Sequence, residues 1–178
     1  MSIDGILGGW ESRVEPWQPG TKPRPGLLQS WHASRAPFVR VVGVEVLRIS
    51  DAIAPDALAV LRERGIPTGP ILINVPRGCI EVLVPLGSSE AWPPLPRTRC
   101  VPTALMRCPA PDITRDSGRW REGRTWAPPP GAGPETTSAA ALAEIVPEAQ
   151  RRAEIRRLVA DGPTGRARRR HPREGQQS

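Results

Sequence analysis

The sequence VRVVGVEVLRI, residues 39–49, decides the fold class of this chain. Side chains alternate between the two faces of a strand, so Val42, Val44 and Val46 share one face, and Leu47 and Ile49 share the other. Because both faces are mostly apolar, the pattern predicts one continuous strand in the middle of a sheet that is covered on both sides.

The apolar residues concentrate around this strand. Of the 38 Leu, Ile, Val and Phe residues in the 178-residue chain, 21 lie between Phe38 and Val84. This concentration predicts one modest core and excludes two full domains. The longest apolar run, residues 41–47, is interrupted by Glu45 and is far shorter than a membrane span, so we expect no membrane contact.

The residues after this strand favour an antiparallel sheet. Pro55 and Gly65 suit the first turn and the residue beyond the end of a helix over residues 55–64. Residues 71–75 and 79–84 then predict a hairpin that reverses at Pro76-Arg77-Gly78. Further predicted elements are a helical turn capped by Ser88 and weaker strands near 104–108 and 124–127. The fold class is therefore α+β: a small, mainly antiparallel sheet with one short helix, a C-terminal helical segment and disordered termini.

Composition divides the chain into four parts: a Pro/Trp-rich extension (1–37), an α+β domain (38–130), a linker with C-terminal helices (131–161) and a disordered Arg-rich tail (162–178). The prolines of the extension favour a polyproline-like backbone. Its Trp10, Trp17 and Trp31 either form an arm that binds a partner or pack against the core.

Two helices are predicted near the C-terminus. Thr136 or Thr137 caps the first, which runs to Val146, and Pro147 begins the second, which runs to Val159. The second helix is expected to turn its aliphatic side chains inward (Ile155, Leu158, Val159) and its arginines outward (Arg151, Arg152, Arg156, Arg157).

The net charge of +7 comes from 24 Arg and one Lys against 18 acidic residues, and more than half of it lies in residues 162–178. A flexible basic tail can bind nucleic acid weakly and without sequence preference, with a log–log salt slope on duplex DNA no steeper than about −4.5 for five phosphate contacts. Alternatively, the tail only solubilises the protein. The candidate contacts are Arg166, Arg168, Arg169, Arg170 and Arg173, and on the folded domain Arg107, Arg119, Arg121 and Arg124.

Three cysteines, Cys79, Cys100 and Cys108, cannot all pair within the chain. No secretory signal is visible, so we expect reduced thiols in the cytoplasm. The cysteines lack the close spacing of structural zinc ligands, and we expect no cofactor.

Chemistry-bearing motifs are few. The chain has no nucleotide-binding glycine loop, and its histidines, His32 and His171, lie far from the predicted sheet. Glu45 and Glu81 lie in neighbouring predicted strands and would form a two-carboxylate metal or acid–base site if they shared one side of the sheet. The competing interpretation is that each pairs with an arginine, such as Arg40, Arg48 or Arg107.

Residues 38–130 contain RGIPTGPIL (64–72), IEVLVPLGS (80–88), MRCPAP (106–111) and GRTWAPP (123–129). In these motifs the chain resembles short, uncharacterised proteins of high-GC Gram-positive bacteria, which are remotely similar to the N-terminal domain of bifunctional DNA primase/polymerases. That family implies paired acidic metal ligands on one strand and a catalytic histidine on a neighbouring one. Here the corresponding strand, VEVLRISD (44–51), has no Asp-x-Asp pair, and no histidine lies between His32 and His171. No catalytic residue is transferred.

Two functional hypotheses follow. The first is a non-catalytic binding or interaction module, a degenerate primase–polymerase-like domain whose basic tail associates weakly with nucleic acid or whose arms bind a protein. The second is a reduced metal-dependent enzyme that acts on nucleotides or phosphates through Glu45 and Glu81. No membrane partner is expected in either case.

Overall fold

The computed structural model describes residues 14–161. Eight strands and four helices form in this range, and a 3₁₀ turn, Val75–Arg77, joins β4 to β5. The strands are β1 (Pro16–Trp17), β2 (Phe38–Val41), β3 (Glu45–Ser50), β4 (Ile71–Asn74), β5 (Cys79–Val84), β6 (Thr98–Val101), β7 (Ala104–Arg107) and β8 (Arg124–Trp126). The helices are α1 (Pro25–His32), α2 (Ala54–Glu63), α3 (Ser88–Ala91) and α4 (Ala139–Asp161).

The strands form two sheets. A five-stranded sheet has the order β6-β3-β5-β4-β8 and is antiparallel throughout, and a three-stranded sheet has the order β1-β2-β7. In the smaller sheet β1 pairs parallel with β2, and β2 pairs antiparallel with β7. The predicted α+β class with a mainly antiparallel sheet and a C-terminal helix is confirmed.

The single strand predicted over residues 39–49 is wrong, because the chain leaves one sheet and enters the other at Gly43. This glycine has a φ of +77°, which side-chain-bearing residues rarely adopt. A Cβ at this position would also lie 2.8 Å from the side-chain Cδ of Gln18. The apolar run therefore supplies β2 to the small sheet and β3 to the large one.

The hairpin of β4 and β5 forms as predicted. The amide of Arg77 donates to the side-chain oxygen of Asn74, and Gly78 takes the left-handed conformation at a φ of +65°. All six residues of β5 are buried, since it lies at the centre of the large sheet.

Each face of the large sheet covers a separate apolar core. Helices α2 and α4 pack on one face, where Leu47, Ile49 and Val82 meet Leu142 and Ile145. The small sheet and α1 cover part of the other face. The core between them includes Trp17, Leu27, Val39, Leu72, Leu83, Met106 and Trp126. The predicted helix over 55–64 is confirmed as α2, with one residue of difference at each end.

The N-terminal segment is part of the fold and is not wholly polyproline-like. Residues 25–32 form α1, with Pro25 in its first turn, and Pro16–Trp17 form a strand. Trp17 is buried and meets the half-buried Trp31 edge to face, with ring centroids 5.4 Å apart. Packing against the core is thus confirmed for Trp17. Trp10 lies outside the described residues.

The predicted break at Pro147 is wrong, since α4 runs continuously from Ala139 to Asp161. A proline inside a helix removes one hydrogen bond, to the carbonyl four residues before it. Burial of Ile145, Val146 and Ala149 around Pro147 offsets that loss. The cap also differs from the prediction: the Ser138 hydroxyl accepts from the Ala141 amide, whereas Thr137 is buried and accepts from the Gly69 amide at 2.9 Å.

In the second half of α4, Arg151 and Arg157 are exposed as predicted, but the aliphatic side chains do not face inward. Ile155, Leu158 and Val159 are 62%, 59% and 73% exposed. Arg152 and Arg156 face α2 instead, where they form ion pairs with Glu63 and Asp56. Across residues 14–161, no helix combines the length and the apolar character that crossing a membrane requires.

Candidate functional site

Glu45 and Glu81 lie on opposite faces of the large sheet. In the register of β3 and β5, Glu45 is paired with Val84, and Glu81 is paired with Arg48. Cross-strand partners share a face of the sheet, and successive residues along a strand alternate between the two faces. Glu45 and Arg48 are three positions apart on β3, so Glu45 points to the opposite face from Arg48 and from its partner Glu81. The predicted two-carboxylate site therefore does not form.

Glu81 is fully buried on the face of the large sheet that also carries Arg48. It contacts three polar side chains, those of Arg48, Asn74 and Arg77, and we call these four residues the polar band. Its Oε1 accepts from Arg48 Nε at 3.1 Å, and its Oε2 accepts from Asn74 Nδ2 at 3.0 Å. Arg77 Nε lies 3.8 Å from Oε1. Pairing with an arginine, the competing interpretation, is confirmed for Glu81.

Glu45 forms no ion pair with any arginine of residues 14–161. Its carboxylate accepts the backbone amides of Gly87 at 3.1 Å and Ser89 at 2.6 Å. It therefore holds the amides at the start of the one-turn helix α3, the role that the sequence assigned to Ser88. The Ser88 hydroxyl donates instead to the Pro85 carbonyl at 2.6 Å. Both glutamates thus have structural roles.

The three cysteines are free thiols that burial keeps protonated. Burial raises the pKa of Cys79 and that of Cys100 from 9.0 to about 11, and it raises the pKa of the fully buried Cys108 further. Such thiols are poor nucleophiles near neutral pH. Among residues 14–161, no three His, Cys, Asp or Glu side chains converge as metal ligands.

A cleft of about 600 Å³ lies between the C-terminal end of α1 and the loop from 109 to 123. We call it the arginine cleft. The aromatic and charged or titratable side chains that line it are those of Trp31, His32, Arg35, Asp112, Arg119 and Arg121.

The loop wall of the cleft is fixed by hydrogen bonds and by one buried side chain. Ile113 is buried, and its carbonyl accepts from the Trp126 amide at 3.0 Å. The Thr125 hydroxyl donates to the Arg119 carbonyl at 2.8 Å, and Trp126 Nε1 donates to the Pro109 carbonyl at 3.0 Å. The loop from 109 to 123 is therefore held on β8.

The helix wall contributes an oriented aromatic ring. Trp31 Nε1 donates to the Cys108 carbonyl at 2.9 Å, which fixes the indole beside the cleft. The chain turns away after α1 at Ser34, whose φ of +59° is uncommon for a residue with a side chain. Arg35 follows this turn and lines the same cleft.

The cleft carries an excess of positive charge. Arg119 forms an ion pair with Asp112, whereas Arg35 and Arg121 form no salt bridge with any residue of the described range 14–161. Trp120 lies between Arg119 and Arg121 in the sequence and is 45% exposed. An exposed aromatic ring flanked by cations is suited to anionic, base-bearing ligands.

The other predicted arginines are placed differently. Arg107 pairs with Glu122 at 3.3 Å and lies over the Phe38 ring, and Arg124 is buried. Arg166, Arg168, Arg169, Arg170 and Arg173 lie outside the described residues. Sequence reasoning missed Trp31 and Arg35 as parts of a site, although the tripeptide Arg119-Trp120-Arg121 was a readable signal.

Comparison of the chain with protein-family models, with curated proteins and with solved structures finds no match. The resemblance to primase–polymerase N-terminal domains therefore stays a prediction.

Proposed function

We propose that this protein is a non-catalytic binding module that holds single-stranded nucleic acid in the arginine cleft. The observation that carries the proposal is the pair of guanidinium groups, Arg35 and Arg121, that line opposite walls of one cleft and form no salt bridge within residues 14–161. The exposed Trp120 lies between two lining arginines, Arg119 and Arg121, in the sequence. The basic tail, residues 162–178, would add further phosphate contacts.

Single-stranded binding uses two physical interactions that this cleft can supply. Guanidinium groups neutralise successive phosphates, and an aromatic ring stacks on a base that has left the helical stack. Stacking contributes about 1–3 kcal/mol per base and is tolerant of sequence. A duplex hides the faces of its bases, so the proposal favours a single strand over a duplex.

The three buried or half-buried free thiols suit a reducing compartment, and we place the protein in the cytoplasm on that ground. The alternative of a metal-dependent enzyme acting through Glu45 and Glu81 has no support from the geometry, because the two carboxylates point to opposite faces.

Fluorescence anisotropy with a labelled single-stranded oligonucleotide tests the proposal on the full chain. Trp120→Ala should weaken binding by roughly 5- to 150-fold, the equivalent of one lost stacking contact. In a background with Gln at the five tail arginines, two phosphate contacts, from Arg35 and Arg121, predict a log–log salt slope of about −1.4 at a factor near 0.7 per contact. Adding Arg35→Gln and Arg121→Gln should bring this slope close to zero.

Matched controls separate the cleft from the rest of the surface. Arg62 and Arg151 are exposed, form no salt bridge within residues 14–161 and lie on α2 and α4, so their Gln variants should bind as the unmodified protein does. A variant with Gln at the five tail arginines separates the tail from the cleft. Binding that vanishes in the tail variant and is unchanged in the cleft variants would refute the proposal.

A further inference from the structure

Arg124 is a buried arginine that forms no salt bridge with any residue of the described range 14–161. It begins β8 and is 8% exposed. Its Nη1 donates to the Glu122 backbone carbonyl at 2.6 Å, but its Nε is buried and has no acceptor. No carboxylate of residues 14–161 forms a salt bridge with it.

The carboxylates near Arg124 are engaged elsewhere. Arg48 and Asn74 occupy the two oxygens of Glu81, and Glu122 pairs with Arg107 at 3.3 Å. Burial, followed by the nearby charge of Arg107, lowers the pKa of Arg124. A buried charge without a partner is costly, so this arrangement is destabilising unless an anion completes it.

A second arginine lies at the same edge of the sheet. The Val75 amide donates to the Gly123 carbonyl at 3.1 Å, which holds the turn that contains Arg77 against the turn that contains Arg124. The Arg77 side chain is 45% exposed, and its nearest carboxylate oxygen, on Glu81, is 3.8 Å away. Arg77 therefore has donors to offer a ligand.

We propose that Arg124, with Arg77 at its rim, forms a binding site for a phosphate group. A guanidinium presents parallel N–H donors that match the oxygens of phosphate, and burial strengthens the bond. The site does not rest on the proposed function. Arg124 lies at the opposite end of the turn from Arg121, and the backbones of these two residues bond reciprocally, but neither Arg124 nor Arg77 lines the arginine cleft.

Thermal unfolding of the full chain in inorganic phosphate, against chloride at equal ionic strength, tests the site. Phosphate at ten times its Kd should raise Tm by about 3–6 °C, because it binds only the folded state. Arg124→Met should raise Tm without phosphate and abolish the response to phosphate. A merely structural arginine predicts the reverse: a lower Tm and an unchanged response.

A second variant keeps the proposal falsifiable if Arg124→Met does not fold. Arg77→Gln changes an exposed side chain and should leave Tm without phosphate nearly unchanged while weakening phosphate binding about tenfold. Arg151→Gln is the matched control and should respond as the unmodified protein does. The site would be overturned if the unmodified protein showed no response to phosphate, or if Arg77→Gln and Arg124→Met responded as strongly as the unmodified protein does.

Two further arms identify the source of the phosphate. If a nucleoside 5′-monophosphate binds more tightly than inorganic phosphate, and Arg124→Met removes that binding, the ligand is the phosphate of a nucleotide. If the two compounds bind with equal affinity, the ligand is free phosphate. Trp120→Ala should leave the response to inorganic phosphate intact. The phosphate site and the cleft can therefore fail separately.

Discussion

Replacing Glu81 by Gln tests the polar band on the large sheet. The carboxylate is fully buried and accepts from Arg48 through one oxygen and from Asn74 through the other. A glutamine offers one acceptor and one donor, so its NH₂ must face an N–H of Arg48 or of Asn74. The Asn74 amide cannot flip to relieve this conflict without losing the bond that its oxygen accepts from the Arg77 amide.

The free-energy cost has two parts. One buried donor left without an acceptor costs about 1–3 kcal/mol, and removal of one partner of a buried ion pair costs at most about 3–5 kcal/mol in total. Arg48 is 21% exposed, so water partly solvates the charge that remains. We therefore expect Glu81→Gln to lower the free energy of unfolding by about 2–4 kcal/mol, which corresponds to a fall in Tm of roughly 5–15 °C.

Urea titration followed by circular dichroism measures this loss. The midpoint should fall while the m-value stays constant, because the folded and unfolded states expose the same surface as before. Glu135→Gln is the matched control, since Glu135 is exposed and forms no ion pair within residues 14–161. A loss below about 1 kcal/mol would show that Glu81 does not hold the band together.

Two further predictions concern packing and pH. Gly69→Ala should lower the free energy of unfolding, measured by urea titration, by about 2–4 kcal/mol. A Cβ at residue 69 would lie 2.6 Å from Thr136 Cα and would disturb the Gly69–Thr137 hydrogen bond. Gly26→Ala is the control and should be neutral or slightly stabilising, because its Cβ would meet only the flexible end of the Glu15 side chain. Folding raises the cysteine pKa values, so stability should be complete below pH 9 and fall as pH rises towards 11 and beyond, and Cys79→Ala should flatten that fall. One Lys and no Tyr leave few other groups to titrate in this window, so a flat urea midpoint from pH 8 to 11 would contradict the burial of these thiols.

The parts of the fold that local rules govern could be predicted from the sequence. The hairpin of β4 and β5 follows from two apolar runs around Pro76-Arg77-Gly78, and α2 follows from Pro55, its apolar periodicity and Gly65. In each case the residues that determine the element lie within or beside it. The pairing of Glu81 with an arginine could be predicted on another ground, because a charged side chain in a central strand needs a partner and arginine is abundant in this chain.

The predictions of local structure are wrong where a contact with a residue distant in the sequence determines the backbone conformation. The strand 39–49 divides because Gly43 lies against Gln18, a residue 25 positions earlier. Helix α1 forms in a Pro-rich segment because Leu27 is buried against the small sheet. The arginine cleft could not be predicted as one site for the same reason, since its walls come from α1 and from a loop about 80 residues later.

Helix α4 shows how a continuous helix keeps one orientation past a predicted break. Its first half buries Leu142, Ile145, Val146 and Ala149, as an apolar stripe should. Because the helix continues through Pro147, residues 152, 153 and 156 fall on the same face as Ile145 and Ala149. On that face Arg152 and Arg156 form ion pairs with Glu63 and Asp56 of α2, and Ala153 packs against the core. The aliphatic side chains at 155, 158 and 159 are therefore left facing outward. A break at Pro147 would have let the second half turn these side chains inward, so the predicted orientation fails together with the predicted break.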